Sequence, residues 1–134
     1  MEASMDLKWS EKYSVNNEII DLQHKMLFTI VNELNQQIIN GDAIETLEET
    51  LEKMSIYATM HFRTEEDLLF KSDYQEYIDH KALHEAFKKK IIEATQDLLQ
   101  GHEMSTVISI HKFLQSWLSD HILLEDAKYN NHIV

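Results

Sequence analysis

The sequence predicts an all-α protein, an up-down-up-down antiparallel four-helix bundle preceded by an N-terminal arm. The 134 residues contain two glycines and no proline, and because these residues interrupt helices most strongly, their scarcity favours long helices with few corners. Apolar residues also recur in alternating three- and four-residue steps, which is typical of bundled helices joined by short connections. A chain of this length can bury a core of its own, so residues 1–134 are expected to form a single domain.

The four helices are expected over residues 17–40, 43–70, 74–100 and 105–127, between an arm of residues 1–16 and a tail of residues 128–134. Gly41 and Gly101 each follow a long helical pattern, as a left-handed C-terminal cap does. Asp42 and Asp73 each begin an acceptor-x-x-Glu sequence, which is typical of a helix start. A Ser–Thr pair at Ser105 can open the fourth helix, whose apolar stripe is Val107, Ile110, Leu114, Trp117, His121 and Leu124.

Polar residues interrupt the apolar stripes of all four helices. A buried charge or an unpaired imidazole is costly unless something compensates it, and six such residues need a common cause. In an antiparallel pair, residues equally far from the shared turn lie side by side. At 1.5 Å per residue, the six residues and the nearby Asp126 fall in one slab roughly 10 Å thick. The six stripe residues are His24, His61, Glu65, His80, His84 and His121.

The local spacings within this group fit metal ligation. His61–Glu65 and His80–His84 are i,i+4 pairs, which place two donors on one face of a helix about 6 Å apart. Imidazoles combined with carboxylates suit iron, zinc or manganese better than calcium or magnesium. Seven donors are too many for one ion and suit two ions with bridging carboxylates.

Spacing alone leaves the second carboxylate open. Asp126 lies five residues after His121, about 140° around an α-helix, whereas Glu125 has the better i,i+4 geometry. The other three histidines lie off the stripes, and we expect them at the surface. They are His102, His111 and His132.

The composition excludes several classes of protein. A net charge of −12 argues against binding nucleic acid or an anionic membrane surface, because a basic face would be needed for either. The absence of cysteine excludes disulfides, metal–thiolate sites and thiol nucleophiles. No apolar run approaches the ~20 residues of a membrane span, and the acidic, polar N-terminus is unlike a signal peptide. We therefore expect a soluble, cytoplasmic protein.

Nearly the whole chain resembles the hemerythrin family in its prokaryotic, bacteriohemerythrin branch. The combined pattern H…HxxxE…HxxxH…HxxxxD is highly specific, although HxxxE alone would be weak. One departure is that the arm reads Tyr-Ser-Val-Asn-Asn over residues 13–17, where many relatives have a glycine. The segments that carry the resemblance are Trp9 and Tyr13 and residues 20–25, 61–66, 80–84 and 117–126.

The resemblance implies a non-haem di-iron centre that binds O2. It implies that Asp126 rather than Glu125 is the second bridge, beside Glu65, and that an oxo or hydroxo group also joins the irons. One iron would be held by His80, His84 and His121, and the other, where O2 would bind, by His24 and His61. The apolar lining of the O2 site, here called the apolar pocket, would be Leu27, Phe62, Trp117, Leu118 and Ile122.

The expected function is reversible O2 binding, for carriage, storage, delivery or sensing. The alternative is a di-iron enzyme with ferroxidase, peroxidase or NO-handling activity. Ferritin-like oxidative di-iron proteins use Glu-x-x-His pairs, and this sequence contains none, so binding is favoured over catalysis. Because the chain ends soon after Asp126, a free-standing binding protein is expected rather than a sensor with an output domain.

Overall fold

The computed structural model describes residues 7–129, and within them the predicted four-helix bundle is confirmed. The helices are α1 (Glu18–Asn40), α2 (Leu47–Lys71), α3 (Tyr77–Leu99) and α4 (Glu103–Ser116). α1 packs against α2 and α4, and α3 packs against the same two helices. Short connections therefore join neighbouring antiparallel helices. None of the helices within residues 7–129 combines the length and the apolar character needed to cross a membrane.

The three corners between the helices share one backbone design. A residue in the left-handed conformation follows each of the first three helices: Gly41 (φ 78°), Asp73 (φ 53°) and Gly101 (φ 86°). The backbone N–H of the following residue donates a hydrogen bond to the carbonyl five residues earlier. At the second corner, for example, Tyr74 donates to the carbonyl of Leu69 at 3.1 Å. This is the Schellman arrangement. The glycine caps are confirmed. The role predicted for Asp73 was wrong, because it closes α2 instead of opening α3.

In the first three helices, the starts differ more from the expected bounds than the ends do. α2 begins at Leu47 instead of residue 43, and α3 begins at Tyr77 instead of residue 74. Thr46 donates its backbone N–H to the carbonyl of Asp42 at 3.1 Å, so a turn occupies the residues that were expected to be the first helical turn. α4 begins at Glu103, two residues before the expected start.

The C-terminal part of the bundle widens into a π-helix. This π segment spans Trp117–Glu125 and is followed by a 3-10 turn over Asp126–Tyr129. In a π-helix residues five apart are bonded to each other, and the N–H of Asp126 donates to the carbonyl of His121. The predicted α-helix to residue 127 was therefore wrong from residue 117 onward. Leu124, expected on the buried stripe, is 59% exposed.

The core consists of two apolar clusters with a polar layer between them. Along α1, His24 lies between Ile20 of the smaller cluster and Leu27 of the larger cluster. Along α2, Glu65 lies between Phe62 of the larger cluster and Leu69 of the smaller cluster. The antiparallel helices thus bring their polar stripe residues to one depth, as predicted. The smaller cluster is Val15, Ile20, Leu69 and Tyr129.

The described part of the N-terminal arm packs along α1. The backbone of Leu7 both donates to and accepts from the side-chain amide of Asn32, at 2.8 and 2.9 Å. Tyr13 stands edge-on to Phe28, with ring centroids 4.7 Å apart. Asn16 has a φ of 57°, a left-handed conformation that asparagine tolerates better than most residues other than glycine. The arm therefore makes its turn on an asparagine.

Candidate metal centre

The structure places all seven predicted donors in one buried cluster. None of them is more than 4% exposed. They form two groups, in each of which the candidate ligand atoms lie within 4.8 Å of one another. The groups are Glu65 with His80, His84 and His121, and Glu65 with His24, His61 and Asp126.

Glu65 faces both groups of histidines, with one carboxylate oxygen toward each. Its Oε1 lies 2.6 Å from Nε2 of His80 and 2.9 Å from Nε2 of His84. Its Oε2 lies 3.4 Å from Nε2 of His61 and 3.6 Å from Nε2 of His24. A carboxylate placed this way has one oxygen for each of two metal ions.

Asp126, which directly follows the π segment, also turns one carboxylate oxygen toward each group of histidines. Its Oδ1 lies 2.9 Å from Nε2 of His80 and 3.1 Å from Nε2 of His121, while its Oδ2 lies 3.0 Å from Nε2 of His24. Glu125 points elsewhere: its side chain is about a third exposed and pairs with Lys128 at 2.8 Å. The five-residue turn of the π segment therefore brings His121 and Asp126 to the same face.

Several of these buried atoms have no hydrogen-bond partner among the described residues. They include Nε2 of His24, His84 and His121 and both oxygens of Asp126. Although they lie close together, they are not directed at one another as donor and acceptor. Buried polar atoms without partners are costly, and atoms that converge on shared space without bonding each other are suited to a metal ion. The donor set thus fits two ions.

Two acceptors outside the cluster orient the imidazole rings. Nδ1 of His61 donates to Oε1 of Gln23 at 2.7 Å, and Nδ1 of His84 donates to Oε2 of Glu66 at 2.8 Å. Because Nδ1 carries the proton, the Nε2 lone pair of each ring is free for a metal. Neither acceptor was predicted from the sequence, since both lie beside ligands but off the apolar stripes.

Tyr129 is a further contact that the sequence analysis missed. It is fully buried, and its hydroxyl donates to Oε2 of Glu65 at 2.5 Å. A hydrogen bond to a carboxylate is stronger than one between neutral groups, so Tyr129 helps to fix the orientation of Glu65. Its position three residues after Asp126 fell within the expected tail, to which the sequence assigned no role.

The five residues of the apolar pocket are all buried in the larger cluster. Phe62 stacks on His84 with ring centroids 3.9 Å apart and planes at 5°, and Trp117 stacks on His121 at 4.0 Å and 13°. These contacts hold two candidate ligands in place. The role of the pocket as an O2 lining stays a prediction.

The electrostatics of the cluster follow from its burial and its two carboxylates. Burial lowers the pKa of His24, but the neighbouring Asp126 and Glu65 raise it, to about 9. The same opposing effects raise the pKa of His80 to about 10. Burial and Glu65 raise the pKa of Asp126, but the imidazoles of His121 and His24 outweigh them and lower it. In the metal-free protein, protons on histidines therefore balance the carboxylates.

The remaining histidines stay outside the cluster or outside the described residues. His102 is exposed at the start of α4, as expected. His111 is half-buried, and its Nε2 lies 2.5 Å from Oδ1 of the buried Asn35, so the surface position predicted for it was wrong. Burial lowers the pKa of His111. His132 lies outside the described residues.

Known proteins are similar to this chain over most of its length. A family model described as hemerythrin HHE cation binding domain matches residues 15–133, a range that contains all seven donors. A bacteriohemerythrin of Clostridium acetobutylicum is 27% identical over 124 residues, covering 90% of this chain and 96% of that protein. A hemerythrin-like protein of Naegleria gruberi is 32% identical over 122 residues, covering 90% and 88%. Hemerythrin subunit alpha of Lingula reevii is 29% identical over 126 residues, covering 93% of each.

Proposed function

The chain belongs to the hemerythrin family, and from this premise we propose that it binds O2 reversibly at two iron ions in the core of the bundle. One observation carries the proposal: Glu65 and Asp126 each turn one oxygen toward either group of histidines. Two carboxylates shared in this way match two adjacent ions instead of one.

The histidines divide unequally between the two ions. His80, His84 and His121 would hold one ion, while His24 and His61 would hold the other, with Glu65 and Asp126 shared. The second ion then has one protein ligand fewer. When bound, the iron pair supplies the open coordination position and the electrons with which O2 combines. An oxo or hydroxo bridge between the ions is part of the same proposal.

The charges of the nearby side chains support two divalent ions. Two such ions bring four positive charges into the core. Glu65 and Asp126 offset two of them, and Glu66, which accepts from Nδ1 of His84 at 2.8 Å, lies close enough to offset a third. Partial neutralisation is needed because an uncompensated buried charge costs several kcal/mol. Neutral imidazoles complete the set without adding charge.

The apolar pocket favours reversible binding over reaction. Its residues are at most 7% exposed, so the side chains around the site exclude bulk water and the protons it carries. An enzymatic role is not favoured, because the relatives include hemerythrins and bacteriohemerythrins and the pocket lining carries no acid or base. The cytoplasmic location expected from the sequence stays a prediction, as does the role in carriage, storage, delivery or sensing.

Repeated oxygenation tests the proposal. The iron-loaded protein is reduced without air, O2 is added, and the visible charge-transfer band that appears with O2 is followed through cycles of deoxygenation. The band should return with nearly full amplitude in each cycle. The metal-free protein, treated identically, should show no band. Irreversible conversion to an oxidised form in the first cycle would contradict the proposal.

A further inference from the structure

Tyr57 carries a buried hydroxyl that the proposed function does not use. The residue is 1% exposed and lies on α2 one turn before His61, so both side chains face the interior. Its ring stacks on His61 with centroids 5.1 Å apart and planes at 22°. The same ring lies 5.9 Å from Phe62 and 6.0 Å from Phe87. Tyr57 thus borders both the metal centre and the apolar pocket.

The hydroxyl of Tyr57 has no hydrogen-bond partner among the described residues. Leaving a buried donor unsatisfied is costly, and phenylalanine at position 57 would bury the same ring without this cost. The unsatisfied hydroxyl beside the pocket is explained if the pocket receives an acceptor.

The other buried tyrosine of the site shows the contrast. Tyr129 is equally buried, but its hydroxyl has an acceptor in Glu65 at 2.5 Å. A shortage of acceptors in the core as a whole therefore does not explain the unpaired hydroxyl of Tyr57.

The hydroxyl of Tyr57 is available as a donor. A tyrosine side chain has an ordinary pKa of about 10, so it carries its proton at neutral pH. The ring that bears the hydroxyl contacts His61 of the centre and Phe62 of the apolar pocket.

We propose that the Tyr57 hydroxyl donates a hydrogen bond to the small ligand held in the apolar pocket, either O2 or an anion such as azide. The inference rests on the proposed function, because it takes this pocket as the ligand site. Azide is an anion and O2 draws electron density from a reduced metal, so both are acceptors. Among the residues of the pocket, only Trp117 carries another donor, its indole N–H. The hydroxyl would slow the release of ligand.

A single-atom substitution isolates this hydrogen bond. Tyr57→Phe removes the hydroxyl and keeps the ring that stacks on His61. Tyr77→Phe makes the same change on a half-buried tyrosine at the start of α3 and serves as the matched control. Without its donor, the Tyr57→Phe protein should release O2 about tenfold faster, and its oxidised form should bind azide about tenfold more weakly. Tyr77→Phe should match the wild type in both measurements.

Thermal unfolding of the metal-free proteins adds a readout that does not depend on ligand. Because the Tyr57 hydroxyl has no partner, Tyr57→Phe should leave Tm unchanged or raise it. A fall of several degrees would assign the hydroxyl a structural partner and overturn the inference. Unchanged O2 release and azide affinity in Tyr57→Phe would overturn it as well.

The outcomes separate this inference from the proposed function. If the wild type fails to bind O2 reversibly but Tyr57→Phe still weakens azide binding, the proposed function is wrong and the donor is supported. If the wild type binds O2 reversibly and Tyr57→Phe behaves identically, only the donor is rejected.

Discussion

Asp126 and Glu125 are adjacent carboxylates that their surroundings separate sharply. Asp126 is fully buried, and its oxygens approach the Nε2 atoms of three histidines. Glu125 reaches outward to Lys128 at 2.8 Å. The two residues differ by one position in sequence, so the conformation of the π segment decides which of them enters the core.

Neutralising each carboxylate in turn tests this assignment. Asp126→Asn removes a charge that would be shared by both ions, and we expect the affinity for iron to fall by at least ~100-fold, beyond the 10–100-fold typical of outer contacts. Glu125→Gln should leave the affinity unchanged, because that side chain lies outside the cluster. Competition with a chelator of known affinity measures both. Loss of iron from Glu125→Gln with retention in Asp126→Asn would reverse the assignment.

The sequence predicted the seven donors but not the residues that support them. Stripe periodicity reports which positions face the core, and Gln23, Glu66 and Tyr129 lie off the stripes. Gln23 precedes His24 and Glu66 follows Glu65, so adjacency to a ligand was the one available signal. Contacts of this kind depend on helix rotation and side-chain reach, which a repeat of three and four residues does not specify.

The π segment shows why the fourth helix was predicted less well than the others. An α-helix would turn Asp126 about 140° from His121 and would bury Leu124 on the stripe. The observed segment places His121 and Asp126 on one face and leaves Leu124 59% exposed. π-helical turns are rare and are frequently found at functional sites. Here the widened turn places Asp126 beside the histidines of the cluster.

The corner at Asp73 gives a prediction about stability at the scale of the helix connection. A non-glycine residue in the left-handed conformation costs about 1–2 kcal/mol, less for aspartate, and the greater freedom of unfolded glycine offsets part of the relief. Asp73→Gly should therefore raise the free energy of unfolding by about 0.5 kcal/mol. Urea denaturation of the metal-free protein measures the change.

Gly101→Ala provides the opposite control. A Cβ at Gly101 meets nothing within 4 Å, so the substitution isolates the backbone cost, and stability should fall by about 1–2 kcal/mol. If Asp73→Gly proved destabilising, the Asp73 carboxylate would have a stabilising role beyond its backbone conformation.

At the scale of the whole molecule, the metal-free core should respond to pH in a predictable direction. The pKa values of His24 and His80 are raised to about 9 and about 10, above the ~6.5 of unfolded histidine. Their stabilising contribution is fully present below pH ~6.5 and is lost as pH rises through 9 to 10. The pKa values of Glu65 and Asp126 are lowered, so their contribution is lost as pH falls below ~4.

Metal uptake should therefore release protons at neutral pH. At pH 7 the carboxylates are already ionised, while His24 and His80 hold protons that a metal must displace. Anaerobic addition of Fe(II) to the metal-free protein in a weakly buffered solution with a pH indicator should release at least about two protons per chain, and a hydroxo bridge formed from water would add another. A blank without protein corrects for hydrolysis of the metal. Uptake of metal without proton release would show that these histidines either carry no proton in the metal-free protein or are not ligands.

The arrangement of the whole bundle was the most predictable part of the protein. Antiparallel neighbours place residues equally far from a turn at one depth, and this geometry alone brought His24, Glu65 and His84 into one layer. The depth of each residue depends only on helix length and on the position of each corner, so errors of three or four residues at the helix starts did not change the predicted layer. The second carboxylate required atomic structure, because it depends on a local departure from the α-helix.

The central claim is that the chain holds two metal ions that together bind one O2. Anaerobic titration of the metal-free protein with Fe(II), with O2 uptake measured at each step, tests it most directly. We predict that uptake ends sharply at two irons per chain, with one O2 bound per two irons and released again under vacuum. A titration that ends at one iron per chain, or a loaded protein that takes up no O2, would contradict the claim.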